Sequence, residues 1–183
     1  MIPFNQYVQH TDERICEWIN GAIDILPPPS AAELRVRDYL LEVLGGFAEE
    51  NGAGLVIPAP FCVRMPEEMQ RGREPDLLYV PNQFAETVQD NYVNSHGVAL
   101  VIEICDHRTR HNDHTEKLAD YEMAGIPEYW IIDAALKQAA FFVLHQNKYE
   151  RAAMNADSMY EPHVMKGFAL SVEQIWSLLA NSQ

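Results

Sequence analysis

Val98-Ala99-Leu100-Val101-Ile102-Glu103-Ile104-Cys105 is the stretch on which the fold turns. It is apolar at every position but Glu103, so a strand built from it has no face to offer to water. That is the pattern of a strand buried on both sides in the middle of a sheet. An ionised glutamate in such a strand is costly unless a metal, a cation or hydrogen bonds compensate it, or unless it lies at a strand end and meets water or an arginine.

Working outward, the C-terminal side reads as a helix from Thr109 to Ala124, stopped by Gly125 with Pro127 just beyond. Strands follow at 128–133, 139–145 and 148–154, the last two joined by the turn Gln146-Asn147. Ser171-Val172-Glu173-Gln174 has the form of a capping box opening a last helix with Ile175, Trp176, Leu178 and Leu179.

On the N-terminal side, Pro75-Asp76-Leu77-Leu78-Tyr79-Val80 reads as a strand stopped by Pro81, preceded by a polar loop with Arg64, Arg71 and Arg73. Residues 55–63 are β-like, but Pro58 and Pro60 confine them to an edge or bulged strand. Ser30-Ala31-Ala32-Glu33 is a capping box for a helix over 31–50, where Val36, Leu40, Val43, Leu44 and Phe47 recur at helical spacing before Asn51-Gly52. Before Pro27-Pro28-Pro29, the turn Asn20-Gly21 separates a short N-terminal helix from a strand at 22–26. This order predicts a mixed α/β (α+β) fold, a central and partly antiparallel sheet flanked by helices, in one domain spanning 1–183.

Composition agrees. The 183 residues are 48% hydrophobic and 22% charged, enough for a packed core. The formal net charge of -14 disfavours a general polyanion or membrane-surface binder, which needs extensive positive surface. Cys16, Cys62 and Cys105 form neither a disulfide framework nor a metal-type spacing, which fits a reducing cytoplasm. No basic leader and no long apolar span predict a chain that neither is secreted nor crosses a membrane.

Glu103 acquires a chemical meaning beside Asp76. An aspartate at the head of one strand and a glutamate in its neighbour can converge at a sheet end and hold a hard divalent cation through oxygen. Such a cation lowers the pKa of bound water and neutralises charge on a phosphodiester. Lys117, in the following helix, could orient the attacking water or stabilise charge building on phosphorus. It also stands four residues after Asp113, the spacing of a plain helical ion pair. Glu33 could add a further carboxylate, though its capping box already accounts for it.

The run Glu103-Ile104-Cys105…Thr109…Asp113…Lys117…Tyr121…Gly125-Ile126-Pro127-Glu128-Tyr129-Trp130-Ile131-Ile132-Asp133, preceded by Pro75-Asp76, resembles the Uma-two type restriction endonucleases of the PD-(D/E)xK nuclease superfamily. Glu17-Trp18-Ile19-Asn20-Gly21, Pro28-Pro29-Ser30 and Lys166-Gly167-Phe168-Ala169-Leu170 extend the likeness over most of the chain. The resemblance implies a restriction-endonuclease-like core and a Mg2+- or Mn2+-dependent endonuclease acting on DNA, with a homodimer as the default assembly. Asp76 and Glu103 would be metal ligands together with Ile104, the residue after the glutamate. Lys117 would be the motif lysine moved into the following helix, since the plain motif puts it at position 105, here Cys105. Glu33 would be the acidic residue of the first helix, and Asp113 and Tyr121 would position the others.

One departure matters. Where the family reads Ser-Pro-Ser after the glutamate strand, this chain has Asp106-His107-Arg108. The departure opens a second reading, because His107, His111 and His114 have the spacing with which imidazoles on one helix can share a transition metal. A third is a catalytically silent nuclease-like fold that serves as an interaction or dimerisation module. As for charge, Arg64, Arg71, Arg73, Arg108, Arg110 and Lys117 all flank the Asp76 and Glu103 strands, which predicts a basic mouth on an acidic body.

Overall fold

The structure is a computed structural model and describes residues 1–9 and 15–180. A single helical turn, α1 (Phe4–Tyr7), leads to a hairpin of β1 (Cys16–Ile19) and β2 (Ala22–Ile25). Asn20 and Gly21, both at positive φ, close that hairpin.

The prolines then give way to α2 (Ala31–Glu50), and the expected capping box is formed in both directions. The Glu33 amide donates to the Ser30 hydroxyl at 3.3 Å, and the Ser30 amide donates to the Glu33 carboxylate at 2.7 Å. Val36, Leu40, Leu44 and Ala48, one turn apart, are buried.

The 55–63 stretch is two strands rather than one. β3 (Gly54–Pro58) and β4 (Cys62–Arg64) lie in different sheets, because the prolines between them interrupt pairing. The supposed polar loop contains β5 (Arg71–Arg73), in which Arg73 is only 1% exposed. β6 (Leu77–Pro81), β7 (Tyr92–Asn94) and the fully buried β8 (Leu100–Cys105) follow.

The single helix expected over 109–124 is broken into α3 (Arg110–His114) and α4 (Glu116–Met123). Thr115 between them leaves the helical region at φ -127 and ψ -81, and its hydroxyl donates to the His111 carbonyl at 2.6 Å. A threonine that bonds back one turn competes with the helical pattern and bends it. The remainder is β9 (Glu128–Asp133), β10 (Gln138–His145), β11 (Lys148–Ala152), β12 (Met159–Tyr160), β13 (Leu170–Ser171) and α5 (Val172–Ala180). The Ser171 hydroxyl accepts from the Gln174 amide at 3.4 Å as α5 begins.

Six strands form the main sheet in the order β11-β10-β9-β8-β6-β3. β8 and β9 are parallel, from Leu100 opposite Glu128 to Cys105 opposite Asp133, and their crossover is the α3–α4 segment. The other pairs are antiparallel, so the sheet is mixed as expected. A smaller sheet, β2-β1-β5-β4-β7, stands beside it.

Alternation along β8 decides what faces what. Leu100, Ile102 and Ile104 pack toward Val36, Leu40 and Leu44 of α2 and Ile175 of α5. Val101 and Cys105 pack toward Tyr121 of α4 and Val63 of β4. Glu103 shares the parity of Val101 and Cys105, so its carboxylate is aimed at the crossover helices and the smaller sheet.

Candidate functional site

The glutamate in the apolar strand is compensated by a cation and a hydroxyl, both from α4. Lys117 Nζ lies 2.8 Å from Glu103 Oε2, and one helical turn on the Tyr121 hydroxyl donates to Oε1 at 2.7 Å. Glu103 and Lys117 are each 3% exposed.

Asp76 immediately precedes β6. Leu77 is opposite Ile102 in the antiparallel pair, and continuing that register sets Asp76 across from Glu103 on the same face. Its Oδ2 accepts the Ile104 amide at 2.7 Å. Glu33, in the first turn of α2, completes the convergence. Glu33, Asp76, Glu103, Ile104 and Lys117 all border one cavity of about 40 Å³, room for a water or a single small ion.

The ion pair between Asp113 and Lys117 is present at 3.3 Å, but both side chains are buried, so it belongs to this cluster rather than to a solvated helix face. Two acidic residues that the strand and helix patterns did not single out also take part. Glu17 of β1 is 0% exposed and places Oε1 3.3 Å from Lys117 Nζ, while Glu74 lines the cavity. Arg73 of β5 ties Glu17 in place, with Nη1 2.5 Å from Glu17 Oε2 and with Nε and Nη2 2.9 and 2.6 Å from Asp120 Oδ2. The signal for Glu17 was available, since it stands between Cys16 and Trp18 in a strand whose first three residues are buried, the same context that marks Glu103.

Negative charge exceeds positive at this cavity, bordered by Glu33, Glu74, Asp76, Glu103 and Asp113 around the Lys117 ammonium. Burial pushes the Asp76 carboxyl up to about 6, although the Ile104 amide and Lys117 oppose the shift. Burial likewise pushes Glu74 up to about 6 against hydrogen bonds from Tyr7 and the Cys16 amide. Glu103 is raised well above the usual glutamate range by burial, only partly offset by Lys117. Lys117 is raised too, which for a lysine favours the charged form: burial disfavours its charge, but Glu103, Glu17 and Asp113 outweigh that and hold the ammonium protonated.

A divalent cation fits this donor set. Two carboxylates in a small cavity with surplus negative charge suit Mg2+, which takes one or two carboxylates and keeps several waters rather than entering an all-protein cage. Among the described residues no three or more His, Cys, Asp or Glu side chains assemble as a ready-made metal cage. That observation also corrects the transition-metal reading at 107–114. His107, His111 and His114 are all exposed, and His107 lies before α3 begins at Arg110, so the three imidazoles do not share one helix.

The basic mouth needs correction too. Arg73 and Lys117 are buried among carboxylates, Arg71 lies 3.4 Å from Asp120, and Arg110 is bonded to Asp133. Arg108, the family departure, donates to Asp106 at 2.8 Å, to Glu33 at 3.1 Å and to the Pro28 carbonyl at 3.0 Å. Arg64 lies over the Phe4 ring. These cations are engaged by carboxylates or, for Arg64, by an aromatic ring; sequence alone gave no measure of their pairing.

A mixed sheet whose adjacent strands carry an aspartate and a glutamate, with a lysine and an acidic first helix meeting them, defines the restriction-endonuclease-like class. A family model described as "Uma2: Putative restriction endonuclease" matches residues 4–173, and the chain belongs to that family. In fold it is similar to the crystal structure of "a putative nuclease belonging to DUF820" from Anabaena variabilis ATCC 29413, with TM-score 0.79 and 15% identity over 98% of this chain and 99% of that one. No curated protein matches the chain.

Proposed function

We propose that this chain is a divalent-cation-dependent nuclease that hydrolyses phosphodiester bonds in DNA, using Mg2+ or Mn2+, as a cytoplasmic homodimer of single-domain chains. The reading is carried by the convergence of Asp76, Glu103, Lys117 and Glu33 on one small, electron-rich cavity.

Asp76 and Glu103, with the main chain at Ile104, would hold the cation. When bound, it supplies charge neutralisation at the phosphodiester and makes water more acidic. Lys117 presents a buried, protonated ammonium that steadies charge developing on the phosphoryl oxygens. Tyr121 fixes the Glu103 carboxylate through its hydroxyl, and Asp113 holds Lys117 from α3. Arg108 restrains Glu33 at the cavity wall. Because the body carries -14 and the nearby arginines are paired, affinity for nucleic acid without the cation is expected to be weak.

The test is cleavage of plasmid and single-stranded DNA by the purified chain in Mg2+, Mn2+ or EDTA, beside Glu103→Ala and Lys117→Ala. Cleavage that needs the cation and is lost in both variants supports the reading. Equal cleavage by all three proteins refutes it, and a folded dimer that cleaves nothing would favour the silent interaction module.

A further inference from the structure

A cation on Glu103 and the Lys117 ammonium compete for the same oxygen. Nζ occupies Glu103 Oε2, and Tyr121 holds Oε1. Two positive charges on one carboxylate repel strongly in a buried site. Lys117 is only 3% exposed, and a buried ammonium left without an anionic partner is strongly destabilising. It therefore needs another acceptor within a short reach.

Two such acceptors are in place. Glu17 Oε1 and Asp113 Oδ1 each lie 3.3 Å from Nζ, and both are buried atoms that receive no hydrogen bond among the described residues. Buried acceptors of this kind are rare and ask for an explanation. A shift of a few tenths of an ångström would bring Nζ into hydrogen-bond range of either. Asp113 borders the cavity and so is within reach of a bound cation, whereas Glu17 does not border it. The other Glu17 oxygen is fixed by Arg73, itself fixed by Asp120, so Oε1 is a rigid target.

We propose that Glu17, held by Arg73, is the second seat of the Lys117 ammonium, taken when a divalent cation occupies Glu103. Glu17 is thus a positioning residue: it ligates nothing, yet it lets lysine and cation share the site. The inference rests on the cation reading above.

The test is calorimetric titration of Mn2+ into the wild type, Glu17→Gln, Lys117→Met and the double variant. Glutamine keeps an acceptor for Arg73. Glu17→Gln is expected to weaken Mn2+ binding by about tenfold, the scale seen when a partner just outside the ligands is removed. In the Lys117→Met background there is no ammonium to reseat, and adding Glu17→Gln should change affinity by no more than about twofold. An equal factor in both backgrounds would mean simple charge attraction and would overturn the proposal. Should Glu17→Gln fail to fold, NMR of the wild type with labelled lysine and carboxylates decides: on Mg2+ binding the Lys117 ammonium must move its hydrogen bond from Glu103 to Glu17, and one that stays on Glu103 overturns it. No Mn2+ binding by either the wild type or Lys117→Met would defeat the cation reading itself, and this inference with it.

Discussion

Lys117→Met is the most informative single perturbation of stability. The ammonium lies 2.8 Å from Glu103 Oε2 and 3.3 Å from both Glu17 Oε1 and Asp113 Oδ1, so one substitution leaves three buried carboxylates without their shared cation. Methionine matches the stem in size, so little of the effect comes from packing. Breaking a buried pair by removing one partner costs about 3–5 kcal/mol. For a chain of this length about 2–4 °C is lost per kcal/mol, which gives a fall in Tm of roughly 6–20 °C. Adding Glu103→Gln removes one of the stranded charges and should restore part of that loss, and Mn2+ should raise the Tm of Lys117→Met more than that of the wild type. The assay is urea and thermal unfolding at pH 7 without and with Mn2+. A Lys117→Met variant as stable as the wild type, with no gain from Glu103→Gln, would refute the claim that Lys117 neutralises the cluster.

Tyr121→Phe removes one charge-assisted hydrogen bond to Glu103 and should cost about 1.5–3 kcal/mol by urea unfolding, with the ring packing kept. Ser30→Ala breaks the capping box of α2 and should cost about 0.5–2 kcal/mol without altering Mn2+ affinity, since the Glu33 carboxylate remains held by Arg108. The Lys148 ammonium and the Tyr149 amide hold the Glu122 carboxyl below the usual glutamate range. Its stabilisation is therefore fully present above the unfolded value of about 4.3 and is lost as pH falls through the lower folded value. Urea unfolding of Glu122→Gln against the wild type should show a deficit at pH 7 that shrinks under acid, and a deficit that grows under acid would contradict the sign.

The architecture was legible where local physics is strong. Ser30 and Glu33 announce α2, Gln146-Asn147 announces the β10–β11 hairpin, and the apolar run around Glu103 announces the central strand. The division of residues 55–63 between two sheets was not legible, because two prolines show that pairing is interrupted but not where the chain goes next. The break at Thr115 was hidden for a similar reason: a threonine in a helical pattern is tolerated unless its hydroxyl bonds back, which depends on tertiary setting.

At the site, Asp76, Glu103 and Lys117 were marked by an acid in an apolar strand and by the family spacing. Glu17 carried the hint of its apolar neighbours, but what it does together with Arg73 of β5 and Glu74 just after it depends on how the smaller sheet is set against α4. The reach of the arginines misled in the same way. Counting cations near a motif says nothing about which carboxylates they meet, and here they meet Glu17, Glu33, Asp106, Asp120 and Asp133.

The central claim is that the cavity between Asp76 and Glu103 receives a divalent cation. A crystal structure of the wild type grown with Mn2+, with anomalous scattering recorded at the manganese edge, tests it most directly. The account predicts a peak in that cavity, in contact with both carboxylates. Peaks confined to the exposed histidines or elsewhere on the acidic surface, with the cavity empty at saturating Mn2+, would contradict it.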